Sequence, residues 1–188
     1  TAAGGTPAGI DLSGYSADNM LVTLVAWRLD SSGVLVGVTN RVQTWLDLVA
    51  APATGGAGKV LFRESTPAWI NDNPLLRFLK DGSFLFASER SGWKHLYHYD
   101  KDGKLLQQVT SGEWECRGVA RVDEADGVAF VTGTKDNPLA ENLYRVKLDG
   151  SEVKRLTHET GAHRASVAPA GDLFIDSWSA IDRPRWRC

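Results

Sequence analysis

At 188 residues with 43% hydrophobic and 23% charged content, the chain has the composition of a folded globular domain and can bury one substantial core. A net charge of -2, with Lys and Arg scattered among Asp and Glu, offers no basic stripe to a phosphate backbone and excludes a nucleic-acid binder. No apolar run approaches the roughly 20 residues that span a bilayer, the N-terminus has no signal-peptide pattern, and Cys116 and Cys188 are too few to make a disulfide framework or assign a redox compartment.

Residues 1 to 18 open with the Gly- and Ala-rich Thr1 to Gly9 and contain a short candidate strand at Ile10 to Leu12. We read them as a ragged N-terminal segment. From Val22 onward, apolar segments of six to nine residues alternate with Gly and Asp turns, the spacing of an all-β fold, and none sustains a helical period. A turn ending in glycine introduces a hydrophobic strand four times, at Gly33, Gly82, Gly127 and Gly171. Those glycines are 49, 45 and 44 residues apart. A second strand recurs downstream of the first three, as Trp45-Leu46-Asp47-Leu48, His95-Leu96-Tyr97-His98 and Asn142-Leu143-Tyr144-Arg145. Adding the strand before each glycine and the one after each second turn gives four strands per unit, the signature of propeller blades.

The fold class expected is thus all-β, a β-propeller fragment of about three and a half four-stranded antiparallel blades. The blades fall at about 19–65, 74–111 and 117–158, with a half blade at 163–182, inside a partial propeller over 19–184. A blade buries both faces only between neighbours. The interrupted repeat therefore predicts a possible homo-oligomer through open blade edges, with the half blade, whose Leu173-Phe174-Ile175 strand lacks both outer strands, as the first contact.

The segment Phe84-Leu85-Phe86-Ala87-Ser88-Glu89-Arg90-Ser91-Gly92-Trp93-Lys94-His95-Leu96-Tyr97, followed by Tyr99-Asp100-Lys101-Asp102-Gly103-Lys104, resembles the N-terminal propeller of the dipeptidyl peptidase IV family, serine peptidases of the prolyl oligopeptidase clan. Val25-Ala26-Trp27 and Thr44-Trp45-Leu46-Asp47 upstream extend the resemblance. Downstream it continues through Gly112-Glu113-Trp114-Glu115, Glu141-Asn142-Leu143-Tyr144 and Trp178-Ser179-Ala180. It covers about residues 19 to 184, and 185–188 form a tail that departs from the family pattern. The resemblance implies a periplasmic, secreted or membrane-anchored exopeptidase that releases N-terminal dipeptides after Pro or Ala. It further implies about eight blades and an α/β-hydrolase domain after them. The chain would be the later, substrate-gating part of that propeller. Its partners would be the N-termini of peptide substrates and the parent's hydrolase domain. A TolB-like binding propeller with no peptidase activity is the alternative, because such repeats also carry Asp-Gly turns.

No residue of the chain reads as catalytic, no metal or other cofactor is expected, and the chain alone is expected to be inactive. Gly14-Tyr15-Ser16-Ala17-Asp18 matches Gly-x-Ser-x-Gly only in part and precedes a β repeat instead of a helix, so Ser16 reads as a turn residue. His95 and His98 are three apart in a strand and face opposite sides. His158 and His163 flank a turn without zinc-ligand spacing. The family grips the substrate's amino terminus with two adjacent glutamates; here the adjacent acids are Asp123-Glu124, a solvated turn. Glu89 and Arg90 read as an ion pair or as hydrogen bonds to the neighbouring turn, and Trp93, Trp114 and Trp178 as packing between sheets. The resemblance places the loop Ser65 to Pro74, between the first two repeats, beside the pocket for the substrate's first residue. Trp69, Asn71 and Asp72 are its candidate substrate-binding residues.

Overall fold

The computed structural model describes residues 4–71 and 75–187, with side chains through residue 184. Seventeen strands, and no helix among the described residues, form four meandering antiparallel sheets and one short parallel pair. The first sheet contains β2 (Met20–Trp27), β3 (Gly33–Asn40), β4 (Trp45–Pro52) and β6 (Lys59–Ser65), in that order. Ahead of it, β1 (Ile10–Asp11) pairs in parallel with β5 (Gly56–Ala57), which lies in the long loop between β4 and β6. The second sheet is β7 (Leu76–Phe78), β8 (Phe84–Ser88), β9 (His95–Tyr99) and β10 (Leu105–Gln108). The third is β11 (Cys116–Asp123), β12 (Val128–Gly133), β13 (Asn142–Lys147) and β14 (Val153–Arg155). The last is β15 (Ala162–Val167), β16 (Phe174–Ala180) and β17 (Arg183–Arg187).

Burial grades across each sheet and explains why one strand per repeat is so apolar. Every residue of β3 and of β8 is buried, so both faces of these strands are covered and their sequences run almost continuously hydrophobic. The last strands read as mixed sequence, with β10 largely exposed and β14 half-buried. The glycine before each apolar strand serves two different ends. Gly82 has φ +84°, which closes the turn Leu79–Ser83 and favours glycine. A Cβ on Gly33 would lie 2.3 Å from the Ala51 carbonyl, so here strand pairing forbids a side chain. The same turns are pinned by aspartates: Asp30 Oδ1 accepts from Ser32 N at 3.0 Å and Asp81 Oδ1 from Ser83 N at 2.9 Å.

The chain gathers into two compact units, Thr1–Phe84 with Asp100–Lys104, and Leu85–Tyr99 with Leu105–Cys188. In the first unit, Val34, Val36, Val38, Val49 and Ala51 form the core on one face of the first sheet, and Ile10, Leu12, Tyr15, Met20 and Trp45 pack against it. Within the N-terminal segment, Ile10 to Tyr15 therefore form a strap laid over that face. In the second unit, Val128, Phe130 and Leu143 pack against Leu156, Ala165, Val167 and Phe174.

The last sheet corrects the expectation that Leu173-Phe174-Ile175 lacks both outer strands. β17 pairs with β16 through Ala180↔Arg183 and Trp178↔Trp186, taking Arg185 to Arg187 into the sheet. Backbone pairing does not require the family's side-chain pattern, and Pro184 is tolerated because β17 is an edge strand with a register shift between Trp178 and Ala180.

Candidate functional site

The loop after β6 is held against the tip of the β3–β4 hairpin. Asn40 builds that tip: its Oδ1 accepts from Thr44 N at 2.9 Å and from Trp45 N at 3.2 Å, and its Nδ2 donates to Thr44 Oγ1 at 2.9 Å. Gln43 turns the chain at φ +54°. Onto this tip the loop docks through Thr66 N to Thr44 O at 2.9 Å and Ile70 N to Gln43 O at 2.6 Å, while Thr66 Oγ1 accepts from Ala68 N at 3.2 Å. Trp69 projects between these anchors and is 65% exposed, and Asn71 is exposed as well. Both sit at the end of the first sheet where the hairpin turns. Asp72 lies outside the described residues.

A second polar constellation in the same unit escaped sequence reading. Asp47 is 98% buried within β4, and Arg63 on β6, 54% exposed, clasps it with Nε on Oδ1 at 2.6 Å and Nη2 on Oδ2 at 2.7 Å. From the strap, the Tyr15 hydroxyl donates to Asp47 Oδ2 at 2.8 Å. Trp45 joins both partners: its ring stacks on Tyr15 at 5.8 Å and lies under the Arg63 guanidinium at 4.5 Å. Partial burial and the bond to Asp47 push the Tyr15 phenol up to about 12. Asp47 in turn raises Arg63 above its ordinary value. A cavity of about 380 Å³ opens beside the cluster, walled by Asp11 to Tyr15, Asp47, Val49, Gly58, Val60 and Arg63. The only available sequence signal was a carboxylate inside an apolar strand.

The remaining charged and aromatic motifs are structural. Arg90 donates from Nε to Ser88 Oγ at 3.0 Å and from Nη2 to the Tyr99 hydroxyl, and its guanidinium lies 4.7 Å from the Tyr97 ring centre. The Ser-Glu-Arg-Ser-Gly segment thus ties itself to β9, and Tyr97 completes the tie by donating to Ser91 Oγ at 2.9 Å. Asp123 caps its own turn by accepting from Ala125 N and Asp126 N at 3.1 and 3.3 Å. Ser16 lies in the strap's turn, where its carbonyl accepts from Asn19 N at 3.0 Å. Trp114 and Trp178 are buried, against His95 and Tyr144 and against His163 respectively. Trp93 departs from the packing expectation and is exposed at a hairpin tip after Gly92, whose φ is +93°.

Two histidines are buried with both ring nitrogens engaged. His95 Nε2 donates to Gly112 O at 2.8 Å, so its Nδ1, 3.1 Å from Thr110 Oγ1, accepts from that hydroxyl; burial lowers its basicity below the ordinary imidazole value. His163 lies 2.6 Å from Asp176 Oδ2 and 2.9 Å from Glu159 O. Among the described residues, no three His, Cys, Asp or Glu side chains gather as metal ligands.

Comparison with known proteins covers nearly the whole chain. Residues 3–185 match the family model for the dipeptidyl peptidase IV (DPP IV) N-terminal region. Dipeptidyl peptidase 4 of Arthroderma otae is 28% identical over 185 residues, 93% of this chain and 24% of that protein. Dipeptidyl peptidase 4 of Trichophyton rubrum is 26% identical over the same length. The chain therefore spans about a quarter of the length of the curated relatives it matches. The crystal structure of Porphyromonas gingivalis dipeptidyl peptidase 4 superposes with a TM-score of 0.84, covering 94% of this chain and 25% of that one at 22% identity. That likeness, together with the repeated antiparallel meanders, shows a β-propeller fold. With its family model matched from residue 3 to residue 185, the chain belongs to the dipeptidyl peptidase IV N-terminal region family.

Proposed function

We propose that the chain is the substrate-gating and recognition part of a dipeptidyl peptidase IV-like serine exopeptidase, which releases dipeptides from peptide N-termini. The family match over residues 3–185 carries this reading. The nucleophile and its base belong to a hydrolase domain elsewhere in a longer polypeptide, in keeping with relatives about four times the length of this chain. The part played by this chain is steric and selective. Strands such as β3 and β8, buried on both faces, give the sheets a rigid frame, and the loops between strands meet the substrate. The Trp69 loop, with Asn71, walls the pocket for the substrate's first residue, where an exposed indole offers a large apolar surface fixed by backbone bonds on either side.

The test uses Gly-Pro and Ala-Pro chromogenic substrates. The longer protein is expected to release dipeptides, and the 188-residue chain is expected to be inactive because it supplies neither an activated nucleophile nor a paired base. Turnover by the purified chain that vanishes on Ser16→Ala, or no dipeptide release by the longer protein, overturns the reading.

A further inference from the structure

Asn40 ends β3 and is only 6% exposed, and three consecutive amides of the turn that follows point at it. Gln43 N donates to the Asn40 carbonyl at 2.9 Å, and Thr44 N and Trp45 N donate to Asn40 Oδ1 at 2.9 and 3.2 Å. These bonds hold Gln43 at φ +54°, a left-handed conformation uncommon outside glycine. The side chain is oriented in turn, because its Nδ2 donates to Thr44 Oγ1 at 2.9 Å.

The two amides on Asn40 Oδ1 belong to the peptide units Gln43–Thr44 and Thr44–Trp45. A trans peptide sends its N–H and its C=O to opposite sides, and among the described residues no peptide bond is cis. With both N–H groups fixed on Asn40, the Gln43 and Thr44 carbonyls are aimed away from it. Those are the two carbonyls that anchor the Trp69 loop: Thr44 O accepts from Thr66 N at 2.9 Å, and Gln43 O accepts from Ile70 N at 2.6 Å. Asn40 and the loop thus grip the same two peptide planes from opposite sides. A hydrogen bond at one end of a peptide unit polarises it and strengthens the bond at the other end.

From this relay we propose that Asn40 is a positioning residue for substrate selectivity: by fixing the Gln43 and Thr44 carbonyls it sets where the Trp69 indole stands. It touches no substrate itself. The proposal rests on the reading above, in which the Trp69 loop walls the pocket for the substrate's first residue. A residue that merely closed the hairpin would affect stability and leave substrate choice alone.

The test is made in the longer protein with Asn40→Ala, Asn40→Asp, Trp69→Ala and the Asn40→Ala, Trp69→Ala double variant. Amide exchange, resolved by fragmentation mass spectrometry, comes first and needs no variant. The Thr44, Trp45, Thr66 and Ile70 amides share two peptide planes, so their protection should agree within about threefold. Protection at Thr66 and Ile70 far below that at Thr44 and Trp45 overturns the proposal. Asn40→Ala should speed exchange at Thr66 and Ile70 about tenfold, the equivalent of roughly 1.4 kcal/mol, and leave Val36 and Val49 in the middle of the sheet unchanged. Asn40→Asp keeps the acceptor oxygen, and the Thr44 hydroxyl can turn to donate to it, so protection should return. In the kinetics, Asn40→Ala should shift the ratio of kcat/KM between substrates with small and bulky first residues about threefold, in the same direction as Trp69→Ala. It should add nothing further in the double variant. Additive shifts, faster exchange throughout the sheet, loss of the fold in Asn40→Ala, or an Asn40→Asp that behaves like Asn40→Ala each overturn the proposal. A ratio moved by Trp69→Ala and not by Asn40→Ala overturns the proposal alone. A ratio unmoved by Trp69→Ala overturns the pocket reading and the selectivity role with it, even where the exchange rates uphold the relay.

Discussion

Asp47 shows how a single buried charge ties two distant stretches of chain together. Its carboxylate is clasped by Arg63 from the same sheet and by Tyr15 from the strap, so the strap is fastened by one hydroxyl and one ring stack. Tyr15→Phe keeps the stack and removes the hydroxyl, and should destabilise the chain by about 1.5–3 kcal/mol, the range for a hydrogen bond to a charged group. The pH dependence has a definite sign. The folded phenol titrates at about 12, above its ordinary value of 10, so its contribution is complete below pH 10 and is lost as the pH rises from 10 towards 12. Urea unfolding at pH 8 and at pH 11.5 measures both effects: the gap between wild type and Tyr15→Phe should shrink at the higher pH. An unchanged gap would mean that the hydroxyl bond does not fasten the strap. None of this was legible in the sequence, because Asp47 is separated by 32 and 16 residues from its partners and nothing local marks them.

Strands with both faces covered were the most legible elements. The apolar runs after Gly33, Gly82 and Gly127 fall within β3, β8 and β12, since a covered strand must be hydrophobic whatever its neighbours do, and the run after Gly171 overlaps β16, where Leu173 and Ile175 are nonetheless exposed. Edge elements were harder to read. β17 contains a proline and three arginines among its described backbone positions, and edge pairing constrains side chains too weakly to leave a pattern. The Trp69 loop falls between these cases. Its position was legible from the repeat, but the backbone bonds that fix it to Thr44 and Gln43 were not. Those bonds hold the loop in place, and on the reading proposed above Trp69→Ala in the longer protein should change the ratio of kcat/KM between substrates with small and bulky first residues by about threefold or more. Uniform losses across the substrate series would assign the indole a role in stability instead.

At the scale of the whole molecule, the repeat of four strands was readable because blades recur with nearly constant spacing. The exposed faces could be located only in the structure. Val22, Val25 and Trp27 lie exposed on β2, opposite Val38, Val36 and Val34 and on the same face as the strap-covered core, and Leu173 and Ile175 are exposed on the last sheet. At about 25 cal/mol per Å², covering about 600 Å² of such surface would contribute on the order of 15 kcal/mol before association costs. The 188-residue chain is therefore expected to self-associate at micromolar concentration, and Trp27→Ser together with Val25→Ser should shift it towards monomer. Light scattering over a concentration series gives the answer. A monomer at high micromolar concentration with one cooperative thermal transition would show that these faces need no cover.

The strap also sets where the molecule can be cut. The regular repeat begins at β2, and a boundary drawn there from the strand pattern would discard Ile10, Leu12 and Tyr15 along with their hold on Asp47. Val34, Val36 and Val38 would then join Val22, Val25 and Trp27 in one uninterrupted oily wall, with a buried carboxylate opened to water at its margin. A fragment trimmed to the visible repeat would thus invite aggregation, and the short segment Ile10 to Tyr15 that looks dispensable in the sequence is what a usable boundary has to keep.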